Sequence, residues 1–120
     1  MADILLDPNS DQVTLNFTFN SPQQFYYSVQ VLDNTGKQIF HDVGSSGTKT
    51  LFTLGAANNL VGLMLVINWT IIDPAGAGNN YSANATAMQS GQAKNSPQSC
   101  SGITTDTHAA SLTAGKFTSN

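Results

Sequence analysis

The sequence predicts an all-β fold: a single-domain antiparallel β-sandwich, immunoglobulin-like or jelly-roll-like, of about 7–8 strands spanning residues 1–120. Three observations lead there. The first is composition: all four cations are Lys, all seven anions are Asp, and Asn, Gln, Ser and Thr together make up 45 of the 120 residues. Helix-favouring Glu and Arg are absent, while Thr suits strands and Asn and Ser suit turns. The second is repeated period-2 alternation of apolar and polar residues, the mark of a sheet with one buried face. The third is turn chemistry recurring every ~8–15 residues with no helical pattern between, the spacing expected of a sandwich or small barrel.

In order along the chain, "QVTLNFTFN" sends Val13, Leu15, Phe17 and Phe19 to one face and Thr14, Asn16, Thr18 and Asn20 to the other. "QFYYSVQVL" does the same with Phe25, Tyr27, Val29 and Val31 opposite Tyr26, Ser28 and Gln30. "DNTG" at 33–36 predicts a type I turn closed by a left-handed glycine, joining this strand to "KQIFHDV". "GSSGTK" separates that segment from "TLFTL", and "GAANN" leads into the most apolar run, "VGLMLVINWTIIDP". That run holds about 12 apolar residues before Asp73-Pro74, short of the ~20 that a membrane-spanning helix needs. Its β-branched and aromatic content makes it a central strand instead, with Leu63, Leu65, Ile67, Trp69 and Ile71 facing the core. After "AGAGNN", "YSANATAMQ" points Tyr81, Ala83, Ala85 and Ala87 inward, small residues that leave room for bulky rings opposite. The polar segment 91–120 has few large apolar residues, and is expected to be loosely held or to add edge strands near 100–106 and 110–118.

Several function classes are disfavoured. A net charge of −3 without Arg or a basic cluster argues against nucleic acid. A lone Cys100 rules out an intrachain disulfide. The amino-terminal residues lack the basic and apolar regions of a secretory signal, while the low charge and abundant amides resemble a secreted or cell-surface protein; the other expectation is a cytoplasmic one. Only His41 and His108 could act as general bases; His41 reads as a strand residue, and His108 lies beside Asp106 and eight positions after Cys100. The chain has too few His and Cys for a zinc site, so it is read as a non-enzyme without a cofactor.

What remains is a binding surface. The expected function is a non-catalytic, lectin-like carbohydrate-binding module, with a glycan or other neutral polar ligand as partner. The candidate residues are Asp73, Asn79, Asn80 and Tyr81 in and after the Gly-rich loop, with Tyr26 near a strand end. Asp73 and Asn79 are also the oxygen donors that a calcium ion would use, a weaker alternative to the ordinary turn chemistry that accounts for them. If the strands carrying Thr14, Asn16, Thr18, Asn68, Thr70, Ser82, Asn84 and Thr86 are neighbours, their outward side chains form one uncharged amide and hydroxyl ladder. The alternatives are a self-assembling structural subunit, a homo-oligomer using the face of Met64, Val66 and Ile72, and a membrane-active β-sandwich toxin.

Overall fold

The computed structural model describes residues 3–76, 78–94, 98–105 and 107–119. Asp106, the neighbour of His108 in the sequence, lies outside the described residues. The described residues form a two-sheet sandwich. One sheet runs in the order β1 (Ile4–Leu6), β10 (His108–Ser119), β6 (Met64–Ile72), β3 (Gln24–Leu32), β4 (Gln38–Ser45). The other runs β5 (Leu51–Ala56), β2 (Gln12–Phe19), β7 (Asn80–Gln89), β8 (Gln92–Ala93), with β9 (Gln98–Ile103) also paired to β7. Every pairing is antiparallel except β1 with β10, so the first strand lies parallel to the last.

Ten strands exceed the expected seven or eight. The surplus consists of strands too short to show a period: three residues in β1 and two in β8. The "GAANN" stretch also departs from expectation, because Ala57–Leu60 is a single helical turn, α1.

The alternation sorts the core correctly. Val13, Leu15, Phe17, Phe25, Tyr27, Val29, Val31, Leu65, Ile67, Trp69 and Ile71 are all buried, and Phe19 and Leu63 pack against them. Ala83, Ala85 and Ala87 are buried opposite Phe19, Phe17 and Leu15 of β2, so small side chains alternate with large ones across the pair. Four rings join the two sheets. Phe17 of β2 stacks on Tyr27 of β3 at 3.8 Å between centroids and 8° between planes, and meets Phe52 of β5 and Trp69 of β6 edge to face. The buried indole N–H of Trp69 donates to Thr113 Oγ1 at 3.0 Å, and the Tyr27 hydroxyl donates to the Lys49 carbonyl at 2.7 Å. β10 is integral to this core: it pairs with β6 over 108–116 and with β1 over 117–119, and it buries Phe117.

Candidate functional site

Strand register decides which outward residues share a surface. Thr14, Asn16 and Thr18 of β2 do lie beside Met88, Thr86 and Asn84 of β7, and Ser82 and Asn84 lie beside Ser101 and Ser99 of β9. Asn68 and Thr70 do not join them. They belong to β6 in the other sheet, so the single eight-residue ladder is corrected to two separate faces on opposite sides of the sandwich. Alternation tells which side of its own strand a residue occupies, but not which sheet the strand enters.

On the β4–β3–β6 face, Tyr26 stands between Thr70 of β6 and Ser45 of β4, and the next outward row is Asn68, Ser28 and Val43. Tyr26 is 46% exposed, and no other aromatic side chain is exposed among the described residues. Its hydroxyl donates to Gln24 Oε1 at 3.1 Å, which anchors the ring upright. A hollow of about 510 Å³ lies on one side, lined by Ser28, Asn68, Thr70 and Val43. Another of about 360 Å³ lies on the other side, lined by Pro22, Gln24 and Ser46. Tyr26, Ser45 and Thr48 border both, so the two hollows adjoin at the ring as the halves of a trough. Ser45 and Thr48 hydroxyls are hydrogen-bonded to each other at 2.8 Å, fixing the wall of the trough. No lysine lines either hollow; nearby Lys49 is engaged with Asp42 at 2.6 Å.

The loop residues are arranged differently. Asp73 is only 4% exposed. Its Oδ1 accepts the Ala75 N–H at 3.0 Å, while Oδ2 accepts from Thr104 Oγ1 at 3.3 Å and from Gln23 Nε2 at 3.5 Å. Burial pushes the Asp73 carboxyl up, but hydrogen bonds from Ala75, Asn79, Gln23 and Thr104 together outweigh it and hold the group below the usual carboxylate range. Asn79 Nδ2 donates to the Gly76 carbonyl at 3.0 Å, closing the loop on itself. Asp73 and Asn79 are thus brought together, with Thr104 as the buried hydroxyl that ties β7 to the chain after β9. The carboxylate oxygens already face hydrogen-bond donors rather than an open coordination sphere, which is the arrangement of a latch. Among the described residues, no three of His, Cys, Asp and Glu converge. Asn80 is exposed, but Tyr81 is only 7% exposed, because its ring covers Gly102, its cross-strand partner on β9. A Cβ on Gly102 would come within 2.7 Å of the Tyr81 hydroxyl oxygen. Tyr26 is separate from this group, in the other sheet.

No family model, curated protein or solved structure matches this chain. Its function therefore has to be argued from these surfaces alone. His108 is exposed on β10, whereas Cys100 is buried on β9 in the opposite sheet, beside Ala83. Burial pushes the Cys100 thiol up to about 11, away from the thiolate form that nucleophilic chemistry uses. No helix among the described residues is long and apolar enough to cross a membrane.

Of the residues beside Tyr26, sequence reasoning missed Ser28 as a site residue and set Asn68 and Thr70 among the wrong neighbours. Their outward direction was readable from alternation; their convergence depends on the β3–β6 register.

Proposed function

We propose that this chain is a non-catalytic binding module for neutral polyhydroxylated ligands, carbohydrate above all, held in the trough astride Tyr26. The observation that carries this reading is the pairing of the exposed Tyr26 ring with hydroxyl and amide side chains on both flanks. A sugar ring presents an apolar C–H face and a rim of hydroxyls. The C–H face would rest on the tyrosine, and the rim would exchange hydrogen bonds with Ser28, Asn68 and Thr70. The absence of a lining cation favours uncharged glycans over sulfated or uronic ones. The hollows fall in the size range of small-ligand sites, at about 510 and 360 Å³.

The test is binding to a broad glycan array by the chain and by its Tyr26→Ala variant. The expected result is selective binding to neutral glycans, weakened about tenfold or more in the variant, equivalent to ~1.4 kcal/mol. Because Tyr26 is exposed, the variant should fold normally. A blank array, or binding indifferent to Tyr26, would overturn the reading.

A second reading has one observation in its favour. Ile39, Val43 and Leu112 are exposed on or beside the same sheet, which suits burial against another copy of the chain. Sedimentation separates the two, since an assembly subunit associates with increasing concentration whether or not glycan is present.

A further inference from the structure

The opposite face of the sandwich carries a larger hollow, of about 590 Å³, over the β5–β2–β7 sheet. Its walls are apolar on two sides, Leu51 from β5 and Met88 from β7, and its floor is Thr14 and Asn16 of β2. Asp11 stands at one end. We propose that this hollow is a second binding site, for small primary ammonium ligands that carry an alkyl flank.

The Asp11 carboxylate is the reason for a cation. The two ion pairs among the described residues are Lys49 with Asp42 and Lys94 with Asp7, so Asp11 takes part in neither. No lysine lines the hollow to balance it. An ammonium group carries three donors and needs three acceptors. The carboxylate and the side-chain oxygen of the adjacent Gln12 supply two, and water at the open mouth supplies the third. Leu51 is 54% exposed, an apolar surface that an alkyl chain would cover, and the flexible Met88 thioether adapts to its shape.

The carboxylate is also held in place. Asp11 N–H donates to Asn9 Oδ1 at 2.9 Å, and the Asp11 carbonyl accepts the Ala57 N–H at 2.9 Å. Asn9 Oδ1 is fixed in turn by Nε2 of Gln89, a side chain only 2% exposed whose amide also bonds both the N–H and the carbonyl of Asp7. From the other side, Ser90 Oγ donates to Asp11 Oδ2. Ser90 is the one non-glycine with positive φ among the described residues, at 53°, followed by Gly91 at 78°. That pair forms a primed hairpin turn, where Asn or Gly is the usual first residue. A serine there carries backbone strain, and its hydroxyl is directed at the carboxylate rather than at the turn. A fixed, uncompensated carboxylate between two apolar walls is a preorganised receptor for an organic cation.

The test is an amide chemical-shift titration of isotope-labelled protein with n-butylamine, which is an ammonium ion at neutral pH, against n-butanol as the uncharged control. The expected result is saturable shifts at Asp11, Gln12, Ser90 and Gly91 with the amine only, weakened about tenfold or more by Asp11→Asn. Ser90→Gly keeps the turn but frees the carboxylate, and should weaken binding by a smaller factor. Leu51→Ala, a surface change, should weaken butylammonium more than methylammonium. Equal shifts with butanol, or unchanged affinity in Asp11→Asn and Ser90→Gly, would overturn the proposal, and neither depends on whether Tyr26 binds glycans.

Discussion

Cys100 shows how one side chain makes this fold pH-sensitive. The thiol is buried beside Ala83, and loss of hydration moves its pKa from an ordinary 9.0 up to about 11. A group whose folded pKa is raised contributes stability that is complete below its unfolded pKa and is lost as pH rises through the folded one. The Cys100 contribution is therefore intact below about pH 9 and gone above about pH 11, with a slope of up to ~1.4 kcal/mol per unit between. Burial shifts the Tyr27 phenol in the same direction, which extends the alkaline loss. Urea midpoints across this range should fall steeply for the natural chain and less steeply for Cys100→Ala; parallel curves would show that the thiol titrates alike in the folded and unfolded states. The same scale explains why some site residues were legible and others were not. Tyr26 alternates outward in its strand and is found there, whereas Tyr81 alternates inward and is buried. Asp73 looks from sequence like a loop ligand because nothing local reveals Thr104 and Gln23, the distant residues that bury it. Gly44, which the sequence assigns to the "GSSGTK" connection, lies instead inside β4 and is required by close packing: a Cβ there would lie 2.5 Å from the Lys49 carbonyl and 2.8 Å from the Phe52 ring.

Among elements, β4 carries the tension between assembly and solubility. It is an eight-residue edge strand with Ile39 and Val43 exposed, the kind of edge that invites pairing with another chain. Two devices oppose this. Its register shifts opposite Val31 and Leu32, which bends the edge. Asp42, paired across from buried Val29, places a charge on the inward side of the edge, where Lys49 Nζ meets it at 2.6 Å. That lysine also sits 5.0 Å above the Phe52 ring and so closes the mouth of the sandwich between β4 and β5. Asp42→Val should leave the fold in place, because the group it removes is solvent-accessible, but should turn β4 into a continuous apolar edge. Light scattering at increasing concentration should then show association absent from the natural chain; an equally monodisperse variant would mean that the bend alone protects the edge. From sequence, "KQIFHDV" is legible as a strand, yet its place at an edge is not. Position within a sheet is set by crossovers between sheets, and the same limit separated Asn68 and Thr70 from the β2–β7 ladder.

For the molecule as a whole, the carboxyl-terminal segment matters more than its composition suggests: strands stand near both positions expected, as β9 and β10, and β10 pairs with β6 alone over most of its length. Its sparse apolar content suggests an edge or a loose tail, because strand identity is judged by side chains, whereas its importance here lies in the backbone. β10 pairs with β6 over nine positions from His108–Ile72 to Lys116–Met64, and with β1 over three more. It thereby joins the first strand to the central strand, and its Thr113 takes the Trp69 indole proton. Small inward residues, Ala109, Ser111 and Gly115, suffice because the rings of β2, β3, β5 and β6 already fill the space between the sheets. Over 108–116 β10 is bonded on one side only, to the central strand β6, so those of its amides that bond β6 should exchange with solvent near the rate set by global unfolding. Hydrogen exchange is expected to group the β6-bonded amides within Ala110–Gly115 with those of Val29 and Ile67, well ahead of β8, whose two residues pair only with the end of β7. Deleting residues 107–120 should correspondingly remove cooperative unfolding altogether, since β1 would lose its partner and β6 one of its two. Fast exchange across β10, or a truncated chain that still melts sharply, would show that the β2–β7 and β3–β6 pairs hold the sandwich by themselves.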